Sequence, residues 1–274
     1  MPEMPEVEII RKSLVGFLKT RRIKNVEIGL SRLIKWPSPT EFSGLVIGKK
    51  ILDVKRRGKY LLVELENEYY IIVHLRMTGK LLYVKKGEKK DSHSRIVFYL
   101  DNDDLLVYAD TRTLGTIHVI NKTEIWRISG LANLGPEPLS KEFTVEYLEL
   151  ILANNKGKIK TLLLNQKYIS GLGNIYVDEA LFLAGIHPER IAGKIESAEI
   201  KKLYTAINKV IKDGLAHGGT TFRDYRNAEG EKGQHQNHLY VYGRKDKPCL
   251  NCHTFINKIE VGSRGTHFCP KCQK

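Results

Sequence analysis

Tyr60-Leu61-Leu62-Val63-Glu64-Leu65-Glu66-Asn67-Glu68-Tyr69-Tyr70-Ile71-Ile72-Val73-His74-Leu75 is a pair of apolar and aromatic runs held apart by three polar residues. Runs of this length suit strands, and so short a polar connection suits an antiparallel hairpin. The same punctuation extends outward. Ile51–Lys55 precedes the pair, and Arg95–Leu100, Leu105–Ala109 and Thr116–Ile120 follow it, with Asp101-Asn102-Asp103-Asp104 as a second tight connection. The pattern from Ile23 to Ile120 therefore predicts a β-sandwich or flattened barrel.

A helix is expected on either side of this region. Pro5 opens the first, with Glu6 and Glu8 in the turn where the helix dipole favours negative charge, and Val7, Ile10, Leu14 and Phe17 recur at helical spacing. Residues 121–142, with Gly135-Pro136-Glu137-Pro138, read as a linker. Beyond it, Val177, Ala180, Leu181 and Ala184 mark a helix stopped by Gly185 and Pro188; Ile200, Leu203, Ile207 and Val210 mark another stopped by Gly218-Gly219. The expectation is an α+β chain. Residues 1–120 form a β-sandwich with an attached helix, 121–142 a linker, 143–242 a helical domain and 243–274 a small terminal module.

Hydrophobic residues make up 42% of the 274, enough for a packed core. Lysine and arginine exceed acidic residues by 14. Such an excess suits a polyanionic partner, because each neutralised phosphate releases condensed counterions; the plainer reading is a soluble basic protein. The N-terminus carries Glu3, Glu6 and Glu8 where a secretory leader would carry positive charge, and apolar stretches such as Tyr69 to Val73 are far too short to span a bilayer. A reducing, cytoplasmic setting with no membrane partner is expected.

All four cysteines fall in the last 26 residues, as Cys249-x-x-Cys252, sixteen intervening residues and Cys269-x-x-Cys272. Two such knuckles can supply four thiolates to one tetrahedral Zn²⁺ and leave no position for water, which predicts a single structural zinc; a redox pair or incidental cysteines are the competing readings. From Gly243 to the end there are seven Lys/Arg against two Asp/Glu. Between the knuckles, Gly262-Ser263-Arg264-Gly265-Thr266 reads as a hairpin tip, with Arg264 either a solvated turn residue or a phosphate contact.

At the other end, Pro2 becomes a secondary amine once Met1 is cleaved. Many chains carry Pro at position 2 and use it for nothing, but such an amine can attack a sugar C1′ and form a cationic iminium, an electron sink for eliminating neighbouring phosphates. Glu3 could move protons beside it, and Glu6 could position it; ordinary first-turn capping accounts for both equally well. Lys55-Arg56-Arg57-Gly58-Lys59-Tyr60 is either a solvated charge run or a phosphate contact. Gly171-Leu172-Gly173-Asn174 reads as a glycine-rich anion turn entering a helix, or as a plain helix start.

Together with Arg57-Gly58-Lys59-Tyr60-Leu61, His74-Leu75-Arg76-Met77-Thr78-Gly79, Leu134-Gly135-Pro136-Glu137-Pro138-Leu139, Gly171-Leu172-Gly173-Asn174-Ile175-Tyr176 and Val241-Tyr242-Gly243-Arg244, the Pro2–Glu8 start and the cysteine segment resemble the formamidopyrimidine-DNA glycosylase (8-oxoguanine DNA glycosylase/AP lyase, MutM) family over essentially the whole chain. The resemblance implies an N-terminal β-sandwich, a helix-two-turn-helix domain and a zinc finger, with DNA in a basic cleft and the damaged nucleotide extruded before attack. It implies a monomeric enzyme that excises oxidised purines from double-stranded DNA and nicks the strand by β,δ-elimination. By motif, Pro2 would be the Schiff-base nucleophile and Glu3 the acid that protonates the sugar oxygen. Lys59 would contact phosphate and assist β-elimination, and Arg264 would assist δ-elimination. Asn174, His93, Lys156 and Lys160 would hold the DNA backbone, and His74 would also contact DNA. Met77, Arg112 and Leu114 would fill the hole left by the flipped base, with Arg112 on the orphaned cytosine. Glu6 and the Thr220–Tyr225 segment, including Thr221 and Arg223, would form the lesion pocket.

Several positions depart from the family pattern. Leu114 replaces a Phe wedge, forfeiting aromatic stacking worth about 1–3 kcal/mol per base. Met4 replaces Leu, Asn165 replaces Asp, and His235 replaces Phe. The alternatives are an endonuclease VIII-like enzyme for oxidised pyrimidines, a non-catalytic damaged-DNA-binding relative, and a zinc-ribbon protein that binds other proteins.

Overall fold

Glu3 and Glu6 set the start of the first helix, α1 (Met4–Leu18), in a computed structural model that describes residues 2–274. The two form a capping box in which the Glu6 carboxylate accepts the Glu3 backbone N–H at 2.8 Å. The helical repeat then puts Val7, Ile10, Leu14 and Leu18 on one fully buried face. Phe17, expected on that face, is half-buried and stacks on Tyr83 with centroids 4.5 Å apart.

Nine strands and one further helix follow: β1 (Ile23–Ile28), β2 (Ile34–Trp36), α2 (Pro39–Val46), β3 (Ile51–Arg57), β4 (Tyr60–Leu65), β5 (Tyr69–His74), β6 (Gly79–Val84), β7 (Ser94–Leu100), β8 (Leu105–Asp110) and β9 (Thr116–Asn121). They make two sheets, ordered β1-β7-β8-β6 and β2-β9-β5-β4-β3. The β4–β5 hairpin pairs Tyr60 with His74 and Leu65 with Tyr69, and Glu66–Glu68 turns between them with Asn67 and Glu68 at positive φ. All pairings are antiparallel except β2 with β9. Two separate sheets make this a sandwich rather than a barrel. Leu61, Val63 and Leu65 from one sheet and Ile96, Phe98, Leu106 and Tyr108 from the other share one core with α1. Each such side chain contributes about 1.5–3 kcal/mol on burial.

Helix α2 interrupts the strand region. Its signal is local: Ser38, Pro39 and Glu41 make a capping box with Pro in the first turn. Strands β1, β2 and β6 also lie outside the expected strand list. The presumed linker region carries a 3₁₀ turn, Lys122–Arg127, and a short helix, α3 (Ser129–Ala132).

The chain divides into two compact units, Met1–Ala132 with His217–Gln234, and Asn133–Ala216 with His235–Lys274. The second holds α4 (Val145–Leu152), α5 (Ile159–Leu164), α6 (Asn174–Ala184), α7 (Ser197–Ala216) and the β10 (Asn257–Val261)–β11 (Arg264–Phe268) hairpin. Helices α6 and α7 cross at Gly214, where a Cβ would lie 2.5 Å from the Tyr176 hydroxyl. Gly185 ends α6 in the left-handed region, φ 72°. Phe182, Val241, Cys249, Ile256 and Cys269 form a small core that seats the cysteine module on α6. Among the described residues, no helix is long and apolar enough to cross a membrane.

Candidate functional site

Pro2, Glu3 and Glu6 are all buried at the start of α1, although Glu3 and Glu6 are carboxylates. Glu6 bridges two backbone segments far apart in sequence. One oxygen accepts the Glu3 N–H and the other accepts the Thr220 N–H at 2.7 Å. Gly219, at φ 82°, fits because a Cβ there would sit 3.0 Å from the Glu6 side chain. Thr221 donates to the Tyr225 carbonyl and accepts the Gly233 N–H, and the Tyr225 hydroxyl donates to the Gly218 carbonyl at 3.3 Å. Thr220, Thr221 and Tyr225 are therefore buried in this packing, while Arg223 is exposed. The same Glu6 carboxylate thus caps α1 and ties it to Thr220. Met1 lies outside the described residues.

The basic run read as possibly solvated is largely engaged. Arg56 donates to Glu8 at 2.9 Å, and Lys55 pairs with Glu64. Burial opposes the Glu8 charge, but the hydrogen bonds from Arg11 and Arg56 hold its carboxyl below the usual range. Gly58 (φ 56°) and Lys59 make the two-residue turn between β3 and β4, and Lys59 is buried. His74, across from Tyr60 at the end of β5, is buried and packs edge-on to the Tyr60 ring. Desolvation, assisted by the charges of Arg76 and Lys59, pushes its pKa down to about 3. The neutral ring accepts the Arg76 N–H at Nδ1, 3.1 Å, so its proton resides on Nε2.

Met77, Arg112 and Leu114 are exposed on two loops organised by a carboxylate that the sequence reading passed over. Asp110 is buried. Its Oδ1 accepts the Thr78 hydroxyl at 2.5 Å and the Arg112 N–H at 3.2 Å, and its Oδ2 accepts the Gly115 N–H at 3.0 Å. The Arg112 contact is an Asx turn, the signal available in Asp110-Thr111-Arg112. His93, on the approach to β7, accepts the Asp110 N–H at its carbonyl, 3.0 Å, and donates its own N–H to Asp91.

In the second unit, Asn174 opens α6 behind Gly173 and donates to the Gly265 carbonyl at 2.8 Å. Lys156 is exposed. Lys160 corrects the sequence reading. It is fully buried, with Nζ 2.6 Å from Asp178 Oδ1, 2.8 Å from Thr266 Oγ1 and 3.3 Å from the Gly265 carbonyl. Its charge is engaged inside the protein and is not available to a phosphate. Asp178 also accepts the His267 N–H at 2.9 Å, so α5 and α6 together grip β11. Arg264 begins that strand, exposed, after a Gly262-Ser263 turn with both residues at positive φ.

The four cysteine sulfurs lie within 4.8 Å of one another. Cys249 and Cys272 are 3.9 Å apart and Cys252 and Cys269 3.4 Å, close to the roughly 3.7 Å spacing that tetrahedral Zn–S bonds of about 2.3 Å impose. Backbone N–H groups of Asn251 and Cys272 approach Cys249 Sγ and Cys269 Sγ at 3.4 Å. Four soft donors in this arrangement fit one structural zinc with no open coordination position.

Residues 1–117 match the family model for the formamidopyrimidine-DNA glycosylase N-terminal domain, 134–226 that for its H2TH domain, and 246–274 the zinc finger found in FPG and IleRS. The chain belongs to the formamidopyrimidine-DNA glycosylase family. The formamidopyrimidine-DNA glycosylase of Bacillus subtilis (strain 168) is 46% identical over 274 residues, covering 100% of this chain and 99% of the relative. Lactococcus lactis Fpg in complex with DNA containing an abasic site superposes with a TM-score of 0.93 at 35% identity over 99% of each chain. MutM in complex with DNA containing carbocyclic 8-oxo-G gives 0.92 at 35% identity over 100% of each. The α+β class, the sandwich, the helical domain and the zinc module all agree with the sequence expectation.

Proposed function

We propose that this chain is a DNA glycosylase and AP lyase that excises oxidised purines, including 8-oxoguanine and formamidopyrimidines, from double-stranded DNA and nicks the strand. The observation that carries this reading is the cluster of Pro2, Glu3 and Glu6, tied to the Thr220–Tyr225 segment, in a chain that matches the glycosylase family from end to end. The formal charge of +14 suits the polyanionic substrate.

With Met1 removed, Pro2 presents a secondary amine. An α-amine titrates near 7.7–8.0, so a fraction of about a tenth or more is neutral at pH 7. Its lone pair attacks C1′ of an extruded nucleotide. The C1′–base bond breaks, and the electron pair leaves with the base, which takes up a proton. Glu3 protonates the sugar ring oxygen, the ring opens, and an iminium remains on Pro2. That cation accepts the electrons released when a C2′ proton is lost, expelling the 3′ phosphate; a second elimination expels the 5′ phosphate. Lys59 assists the first elimination and Arg264 the second. His74, through Nε2–H, joins His93, Lys156 and Asn174 on the backbone. Met77, Arg112 and Leu114 occupy the vacated stack, and Glu6, Thr220, Thr221, Arg223 and Tyr225 surround the extruded base. Zinc holds the terminal module folded through Cys249, Cys252, Cys269 and Cys272. Catalysis falls to residues 1–120 with the returning 220–225 segment and Arg264 of the terminal module, and DNA-backbone contacts to His74 and His93 of 1–120 together with residues 143–242. The enzyme acts as a monomer in the cytoplasm.

Incubation with a duplex carrying 8-oxoguanine opposite cytosine, followed by borohydride, tests this. The expected product is a covalent adduct whose mass maps to the Pro2 peptide, greatly reduced in Pro2→Gly. Capture only with oxidised pyrimidines would reassign the substrate class. No adduct with either, after confirmed loss of Met1, would overturn the enzymatic reading.

A further inference from the structure

The chain contains two tryptophans, Trp36 and Trp126, and both are exposed, at 46% and 67%. Large aromatic surface left in water marks interaction sites more often than it marks chance. These two are also organised. The Arg127 guanidinium lies 5.4 Å from the centroid of each indole, so residues 90 positions apart in sequence are gathered around one cation.

Their place in the fold gives this cluster a direction. Trp36 ends β2, the edge strand of the five-stranded sheet, and pairs with His118 of β9. Strand β9 starts directly after the Arg112–Leu114 loop. Arg32, just ahead of β2, donates to the Thr113 hydroxyl, between Arg112 and Leu114. A strip of exposed Arg32, Lys35, Trp36, Arg127 and Trp126 therefore begins at that loop and runs along the sheet edge away from it. Arg32 lies in a 3₁₀ turn, Ser31–Leu33, and Ile34–Trp36 is extended, so Arg32 to Trp36 spans about 10 Å, at roughly 2.0 Å per residue in the turn and 3.3 Å in the strand. That length matches about three phosphates along one strand of B-form DNA, spaced about 3.4 Å apart along the axis.

We propose that this strip binds the phosphodiester backbone of the undamaged strand beside the lesion. The inference rests on the glycosylase reading, in which the adjoining Arg112 faces the orphaned cytosine of that strand. Arg32 and Arg127 offer planar forks suited to phosphate oxygens, and the indoles present flat faces to deoxyribose. Glu124 holds Arg127 at 2.8 Å, but both partners are solvent-exposed, and such pairs exchange readily for a phosphate.

Because both tryptophans lie in the strip, intrinsic fluorescence reports on it without a label. The zinc-loaded full chain is titrated with duplexes carrying a tetrahydrofuran abasic analogue, with long flanks or with one flank cut to two base pairs. Quenching is expected with long flanks and should disappear when the flank over the strip is removed, while binding persists. Trp36→Phe and Trp126→Phe should each remove part of the signal. Arg32→Gln with Arg127→Gln should reduce the slope of log affinity against log salt by about 1.8, at roughly 0.9 per phosphate contact. Absence of both tetrahydrofuran-duplex binding and borohydride trapping on the 8-oxoguanine duplex, to which the tetrahydrofuran analogue is inert, would sink the glycosylase reading itself. Normal binding and trapping, with flank-independent emission and an unaltered salt slope in the double variant, would refute the strip alone.

Discussion

Replacing Lys160 by Met should be among the most damaging single changes in the second unit, although it removes no metal ligand and no catalytic group. The side chains of Lys160 and Asp178 are completely buried and 2.6 Å apart. Methionine fills a similar volume but leaves the Asp178 carboxylate in a dry interior, without the ammonium and with the His267 N–H still donating at 2.9 Å. Breaking a buried pair by removing one partner costs about 3–5 kcal/mol, because the surviving charge has lost its compensation. The Thr266 hydroxyl at 2.8 Å loses a donor as well, whereas the Gly265 carbonyl keeps Asn174. At about 2–4 °C per kcal/mol, the midpoint of thermal unfolding should fall by roughly 10 °C. The double variant Lys160→Met, Asp178→Asn should recover most of the loss, since it restores neutrality, and comparison of the double with both single variants gives the coupling energy of the pair. Urea unfolding of the zinc-loaded protein, combined with amide exchange at His267, reads both quantities. A single variant costing under about 1 kcal/mol, or a double variant no better than the single, would refute the argument that charge compensation holds β11 to the helices.

Zinc removal by a chelator, or Cys252→Ala, should unfold residues 249–272 and weaken DNA binding while α1 stays folded; unchanged amide protection in β10 and β11 after removal would contradict a structural role. The burial that holds His74 neutral makes stability pH-dependent. An unfolded histidine takes up a proton below about pH 6.5, and the folded one resists to about 3, so the contribution is complete above 6.5 and is lost as the pH falls. Between pH 6.5 and 5 that amounts to about 2 kcal/mol, at roughly 1.4 per pH unit, and His74→Gln should flatten the curve by this amount in denaturant titrations. His118, lowered to about 4 chiefly by desolvation, acts in the same direction. Glu179, which burial pushes up to about 7, accepts the Tyr240, Val241 and Tyr242 N–H groups at 2.7–2.9 Å. Glu179→Gln turns an NH₂ toward those donors and should cost about 1–3 kcal/mol, visible as faster exchange of the three amides.

The β4–β5 hairpin was legible because both of its strands are nearly continuous apolar runs with a short polar turn. Strand β1 was not, since Ile23-Lys24-Asn25-Val26-Glu27-Ile28 buries little beyond one face. Helix α2 carried its signal in Ser38-Pro39-Thr40-Glu41 but sat inside a region dominated by strand pattern. Lys160 was misread because a lysine's charge is visible in sequence and its partner, eighteen residues on, is not; the apolar neighbours Ile159, Leu162 and Leu163 were the available hint of burial. The attachment of residues 217–234 to the first unit depends on bonds from Glu6 to Thr220 and from Tyr83 to Ala228, separations that no local pattern encodes.

That attachment has a consequence for biosynthesis. Tyr225 and Ala228 belong to the core shared by α1 and both sheets, so the first unit lacks part of its interior until residue 234 has been made. At about 5–20 residues per second, a ribosome needs roughly 12–47 s to deliver that residue. From the end of β9 at Asn121 until residue 234, about 6–23 s at that rate, the nascent sandwich carries an unfilled notch beside α1 and an uncapped strand edge at Tyr83, and nearly all of the second unit's helical sequence is polymerised before the chain returns to close it.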